Sequence, residues 1–216
     1  IEGADTTIDE LFDIFRAKRT ETKGERMILN TYRAVKYLNL SQKRDVDTLV
    51  QLWQIVTDGV CDNANLSGEK FRKGVVVVGT HQAPEPELLE YCMQQFFHFY
   101  HEKNIASPYI KVAILHFYFV YMHPFCDGNG RIGRLITSDF LIRSGLENFS
   151  AITLSKTINE TAQDYYQALE NSENLFCDIT PFIQYMLKTV YDNLYEVLKN
   201  QNRFMVTYLD WGKVME

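Results

Sequence analysis

The sequence predicts a mainly α-helical domain with one short β-hairpin, on three observations. Apolar residues recur at three-and-four spacing along most of the 216-residue chain. Only 11 Gly and 5 Pro punctuate it, too few for the turn-rich chain of an all-β protein. One β-branched run, Gly74-Val75-Val76-Val77-Val78-Gly79, stands isolated between glycines and is followed by Pro84 and Pro86. A hydrophobic fraction of 46% over this length suffices for one buried core and excludes a disordered polymer.

The elements follow in order. From Thr6 to Arg19, Ile8, Leu11, Phe12 and Phe15 share one helix face, with Thr6 or Thr7 as cap and Asp9 and Glu10 in the first turn. A second helix is expected from about Glu25 to Leu38, with Met27, Ile28, Tyr32, Val35 and Leu38 inward. Ser41 and Asp45 introduce a third, whose inner face is Leu49, Leu52, Trp53 and Val56. The valine run reads as a short hairpin lying on the helical body, and Pro86 then opens a helix to about His101. Pro108 to Met122 is apolar around nearly its whole circumference and so belongs at the centre of the core. It ends at His123-Pro124, because proline disfavours helical backbone in the residue before it. A helix from about Gly130 to Ser144 buries Ile132, Leu135, Ile136, Phe140 and Leu141, with Gly145 just past its end. Two more are expected, at about Ser155 to Asn171 and Thr180 to Asn200.

A net charge of −6 disfavours a nucleic-acid binder, which needs a basic stripe. Cys61, Cys92, Cys126 and Cys177 are scattered, and without a CxxC pair neither a zinc ribbon nor a thioredoxin-like site is supported. Reduced thiols in a cytoplasmic-type compartment are the expectation. The longest apolar stretch, Val112 to Met122, is interrupted by His116 and too short to span a bilayer, so no membrane partner is expected. No signal-peptide pattern opens the chain. It begins at Ile1 rather than Met, so upstream residues are expected to be missing.

Chemistry concentrates in His123-Pro-Phe-Cys-Asp-Gly-Asn-Gly-Arg131-Ile-Gly-Arg134, which joins the most buried helix to the start of the next. Gly128 and Gly130 leave backbone N–H groups unobstructed, and Asn129 tolerates a left-handed backbone. Such a loop feeding a helix N-terminus is a ready anion site. Arg131 and Arg134, three apart on the first turn, point to more than one phosphate. Asp127 amid this positive charge makes sense as a ligand of a divalent metal that bridges carboxylate and phosphate. His123 at the rim has the range of a general base near neutral pH. Singly, each has a bland reading: a helix-capping histidine, a turn, a surface arginine pair. Their conjunction within twelve residues outweighs those readings, and Cys126 among them reads as filler.

The segment resembles the signature of the Fic domain family, HPFx(D/E)GNGRxxR, at every fixed position. Phe71-Arg72, Val78-Gly79, His81 and Pro84 resemble the family's flap hairpin, and Asp164 to Leu169 its downstream Tyr-Tyr segment. Ile1-Glu2-Gly3 resembles the end of its inhibitory motif, (S/T)xxxE(G/N), whose Ser or Thr would precede Ile1. The resemblance implies a protein adenylyltransferase that moves AMP from ATP, with Mg²⁺, to a Tyr, Thr or Ser hydroxyl of a target protein, with self-modification plausible. His123 would be the base and Asp127 the Mg²⁺ ligand. The amides of Gly128, Asn129 and Gly130, with Arg131 and Arg134, would bind phosphates, and Phe125 would anchor the loop. Val78 would lie at the nucleotide. Tyr165 and Tyr166 would lie near base and sugar, or simply pack. The flap Val75, Val76, Val77, Val78, Gly79 and Thr80 would align the target as an added strand, or be a structural hairpin only. Glu2 would pair with Arg134 and displace the γ-phosphate.

The implied division is 1–70 as an N-terminal helical region with the inhibitory segment, 71–200 as catalytic core and 201–216 as tail. The sequence departs from the family at Glu160-Thr161-Ala162-Gln163, where an Arg is frequent, at Glu173, where an Asn is frequent, and at Ala4. Rival readings are transfer of another phosphate-containing group, removal of AMP, or a non-catalytic nucleotide- and partner-binding module. Doc-type kinases carry Lys in the second loop-glycine position, and Gly130 favours nucleotidyl transfer.

Overall fold

The computed structural model describes residues 22–103, 107–145, 151–174, 178–192, 195 and 198–199. The expected first helix, Glu2 and the tail lie outside the described residues.

Helix α1 (Lys23–Leu40) begins with a reciprocal cap: Thr22 Oγ1 accepts from Glu25 N at 3.2 Å, and Glu25 Oε2 accepts from Thr22 N at 2.9 Å. Its buried stripe is Met27, Ile28, Leu29, Asn30, Ala34 and Leu38. Tyr32, expected inward, is exposed. Five residues on from Met27, it stands about 140° round the helix from the line of Met27, Ala34 and Leu38. Asp45 caps α2 (Val46–Thr57), accepting from Thr48 N at 2.9 Å. Arg44, at the corner between them, donates to both oxygens of Asp139 at 2.6 Å and to Leu38 O at 2.7 Å.

The valine run forms an antiparallel hairpin of β1 (Val77–Val78) and β2 (His81–Gln82), pairing Val77 with Gln82 and Val78 with His81. Only two residues of the run are strand on each side. The turn between them places Gly79 at φ +60°, where a side chain would be strained. A 3₁₀ turn at Pro86–Leu88 then leads into α3 (Leu89–His101). The next two helices fall where the sequence puts them: α4 (Pro108–Met122) and α5 (Asn129–Arg143).

The single helix expected from Ser155 to Asn171 is two, α6 (Ala151–Glu160) and α7 (Ala162–Asn174). Thr161 marks the break. Its hydroxyl bonds back to Thr157 O at 2.8 Å and lies 2.8 Å from the Tyr185 hydroxyl. Back-bonding of this kind bends a helix, and no Gly or Pro announces it. Helix α8 (residues 180–192) starts where Asp178 Oδ1 accepts from Thr180 N at 3.0 Å.

Helix α4 is shared by two packed clusters, which is why its apolar residues run all round. Val112, Leu115 and Phe119 pack with Leu52, Leu89, Met93, Ile132 and Leu141, while Ala113 and Phe117 pack with Ile158, Ala168, Phe182 and Met186. A methyl group on Gly133 of α5 would lie 3.3 Å from the Phe119 ring, so the two helices approach closely there. Among the described residues no helix is long and apolar enough to cross a membrane.

His116, which with Lys111 interrupts that apolar surface, is 2% exposed. Thr137 spends its hydroxyl proton on Gly133 O at 2.7 Å, so it must accept from His116 Nδ1, also at 2.7 Å. His116 Nε2 is then the acceptor for the Tyr165 hydroxyl at 3.1 Å. Burial, aided by the Arg134 charge, pulls this imidazole down to about 3, so it is neutral in the folded protein.

Below about pH 6.5 the unfolded chain protonates His116 while the folded chain does not, so this residue costs stability as pH falls from 6.5 toward 3. A His116→Gln protein, uncharged in both states, is expected to be less stable than wild type at pH 7. Thermal melts from pH 7 to pH 4 should show that gap narrowing; a constant gap would contradict the neutral assignment.

Candidate active site

The site begins where α4 stops. His123 takes φ 44° and ψ 58°, the only non-glycine residue at positive φ among the described residues. A left-handed histidine costs roughly 1–2 kcal/mol and persists only where its surroundings hold it. Arg72 does so: its Nε donates to His123 O at 2.8 Å, and its backbone N–H donates to Pro124 O at 2.9 Å.

The loop after His123 is closed by neighbouring elements. Phe125, 1% exposed, stacks on Trp53 of α2 with ring centroids 5.1 Å apart and planes within 4°. Trp53 Nε1 donates to Asp127 O at 3.1 Å. The Asn129 carboxamide bridges back to Phe125, accepting from its N–H at 3.0 Å and donating to its carbonyl at 2.8 Å. Gly128 caps α5 at φ +79°, and a Cβ there would lie 3.0 Å from Thr57 Cγ2, so geometry and space both require glycine. Gly130, by contrast, is an ordinary member of the first helical turn.

A cavity of about 530 Å³ opens at this helix start. His123, Asp127, Gly128, Asn129, Gly130 and Arg131 form one wall, and Val76, Val77 and Val78 another. Arg131 is buried, donating to Val56 O at 3.2 Å and to Asp127 Oδ1 at 3.3 Å. Asp127 further accepts from Gly128 N at 2.6 Å through Oδ1 and from Asp62 N at 3.1 Å through Oδ2. The first-turn amides of α5 have no intrahelical acceptor and, with the helix dipole, favour an anion in this cavity.

Not every expected residue meets here. Arg134, one turn further on, is buried beside His116 and does not line the cavity among the described residues. Tyr165 packs into the second cluster against Phe182 and bonds His116. Tyr166 is exposed and meets Tyr165 edge-on at 5.3 Å. Neither tyrosine lines the cavity.

The flap presents its edge outward: Val75, Val77 and Val78 are exposed, Val77 at 61%, and Gly79 and Thr80 form the exposed tip. Two side chains hold it. Arg72 Nη1 donates to Gly74 O at 2.8 Å and Nη2 to Pro84 O at 2.5 Å, so one guanidinium ties both ends of the hairpin to His123. Burial holds this guanidinium below its ordinary range. His81 stands 3.0 Å from Glu173 Oε1 through Nδ1 and 2.7 Å from Tyr121 O through Nε2.

Sequence reasoning missed several neighbours. In the sequence Arg72 figures only in the flap pattern and Trp53 only as core. Lys23 and Asp62, paired at 2.5 Å on the cavity rim, drew no notice. A Trp one turn before a helix end and an acid after it carry no local signal of a site. Cys126 also belongs to the cavity wall, with its sulfur 3.6 Å from that of Cys61. Burial and the neighbouring thiol push Cys126 up to about 11.

A profile of the Fic/DOC family matches residues 26–141, more than half of the chain. The chain belongs to the Fic/DOC family. The whole motif from His123 to Arg134 lies inside the matched span. Relatives named protein adenylyltransferase Fic occur in Aedes aegypti, 31% identical over 163 residues, and in Nematostella vectensis, 32% identical over 165 residues. Each alignment covers 74% of this chain, but only 31% and 37% of the relatives, so the chain spans about a third of their length. The fold is that of a Fic family protein from Desulfovibrio desulfuricans G20, with a TM-score of 0.78, 22% identity, and coverage of 93% of this chain and 62% of that one. Fic-1 (residues 134–508) from C. elegans gives a TM-score of 0.71 at 20% identity, covering 94% and 61%.

Arg72 is 2% exposed and its loss would strand the partly buried carbonyls of His123, Gly74 and Pro84. Arg72→Met is expected to lower unfolding free energy by about 3 kcal/mol. The same change at exposed Arg33, whose partner Asp58 is 3.8 Å away, should cost less than about 0.5 kcal/mol. Denaturant titration of both variants compares them directly, and equal losses would refute the hub.

Proposed function

We propose that this Fic/DOC chain is a protein adenylyltransferase. It transfers AMP from Mg-ATP to a Tyr, Thr or Ser hydroxyl of a target protein, itself included. One observation carries this reading: a histidine, a carboxylate, an amide-lined helix start with a buried arginine, and an open strand edge wall the same cavity.

His123 accepts the proton of the incoming hydroxyl, whose oxygen forms the new bond to the α-phosphorus. The bond from that phosphorus to the bridging oxygen breaks, and pyrophosphate leaves. The amides of Asn129 and Gly130, fixed before substrate arrives, meet the charge that develops on the phosphoryl oxygens, while the Gly128 amide, expected to join them, holds Asp127. Arg131 adds a fixed cation at the cavity wall; Arg134, which does not line it, is assigned the terminal phosphate by the family's motif. Such holding makes in-line attack effectively unimolecular. Asn129 acts through the loop it closes, since its carboxamide already bonds Phe125 at both ends.

Asp127 suits Mg²⁺. It offers hard carboxylate oxygens at the cavity wall, and no group of three or more candidate ligands exists among the described residues. That donor set fits an ion that takes one or two carboxylates and draws its other ligands from phosphate and water. When bound, the ion supplies charge neutralisation on the phosphates.

The exposed valine edge supports docking of the target as an extended segment through main-chain hydrogen bonds, with backbone geometry selecting it more than side chains. On this reading Arg72 is a positioning residue, since it sets flap and base together. Glu2 is the inhibitory residue that pairs with Arg134 and turns ATP into an unproductive pose.

Incubation with α-labelled ATP and Mg²⁺, read by intact mass, is expected to show a +AMP species that His123→Ala lowers at least 100-fold. Incorporation of γ-label instead would replace this reading by phosphate transfer, and loss of AMP from a pre-modified target would replace it by hydrolysis. A second variant, Glu2→Gly, is expected to raise self-labelling about tenfold or more; a folded variant with unchanged labelling removes Glu2 from the mechanism.

A further inference from the structure

We propose that Cys61 and Cys126 are a redox modification site, which closes to a disulfide and displaces the phosphate loop. The two sulfurs stand 3.6 Å apart although 65 positions separate them in the chain. Two contacts from the residues just after Cys61 hold this pairing in place. Asp62 N donates to Asp127 Oδ2 at 3.1 Å, and Asn63 Nδ2 reaches Cys126 O at 3.5 Å. The turn after α2 and the motif loop therefore run side by side, with one thiol from each between them. A disulfide bond of roughly 2.05 Å needs the sulfurs to close by about 1.5 Å, within reach of side-chain rotation and a small backbone shift.

The two thiols are not equivalent. Cys61 is partly exposed and Cys126 is buried, so a small-molecule disulfide enters at Cys61. The Cys61 sulfur attacks the reagent, forms a mixed disulfide and releases one reduced thiol. The Cys126 sulfur then attacks Cys61, the reagent's second half leaves as a thiol, and the intramolecular bond is made. Two protein thiols have lost two electrons and two protons, and one reagent disulfide has been reduced to two thiols.

The position of Cys126 gives the bond a consequence. It lies between the anchored Phe125 and Asp127, so drawing it toward Cys61 moves the carboxylate and the amides that follow. Displacement of an aligned group by about 1 Å can cost up to about 100-fold in rate. The loss of transfer rests on the adenylyltransferase reading; formation of the bond does not.

The test exposes the reduced chain to oxidised glutathione and maps its peptides without reduction. The expected result is a Cys61–Cys126 linked pair, with Mg-ATP affinity by calorimetry and AMP transfer both down about tenfold or more. Dithiothreitol should restore both, and Cys61→Ser should keep the reduced protein's values and ignore the oxidant. Glutathione left on Cys61 without linkage, linkage with unchanged affinity and transfer, or an equally sensitive Cys61→Ser protein would each overturn the proposal. A reduced chain that links and loses ATP affinity but never transfers AMP would instead remove the adenylyltransferase reading.

Discussion

A single buried guanidinium, that of Arg72, sits where a helix end, a catalytic-type loop and a hairpin all expose carbonyls. Helix α4 stops with its last oxygens lacking intrahelical partners, and the hairpin enters and leaves the body with oxygens turned inward. Buried carbonyls need donors, and five N–H groups in a rigid fork serve several at once in a way an ammonium does not. With His123 O, Gly74 O and Pro84 O all on Arg72, the histidine and the flap cannot be placed independently. The left-handed backbone at His123 is tolerated because this contact and the Arg72–Pro124 backbone bond fix both of its sides.

Beyond Arg72, neutral contacts set the shape of the loop, while its paired charges, Arg131 and Asp127, line the cavity. Phe125 against Trp53 and the Asn129 bridge carry the shape. Arg131, Asp127 and the first-turn amides carry the electrostatics. This separates the global charge of −6 from the local field: the chain carries an excess of acids, while a helix start and the buried Arg131 give the cavity wall positive character.

The site was legible because its residues are contiguous. Twelve successive positions hold a base, an acid, a tight turn and two cations, and local periodicity fixes the helices on either side. Helix α4 was read to the residue because Pro108 and Pro124 bracket it. What escaped detection depends on tertiary placement. Trp53 and Asp62 reach the loop from more than 60 positions away, and Cys61 meets Cys126 only once α2 has packed. The break at Thr161 was missed because its cause is a hydroxyl bond, which composition does not mark. Tyr32 was misplaced because apolar spacing counts a tyrosine as core whichever way its helix is turned.

The hairpin has a consequence in time as well as in space. Two paired residues per strand form a ladder too short to be stable alone, so its persistence is lent by Arg72 at its base and by His81 beside its turn. Segments held by few buried contacts open locally, well below the free energy of global unfolding. The short ladder from Val76 to Gln82 is therefore expected to open more readily than buried α4. Flap and histidine share one anchor, the side chain of Arg72.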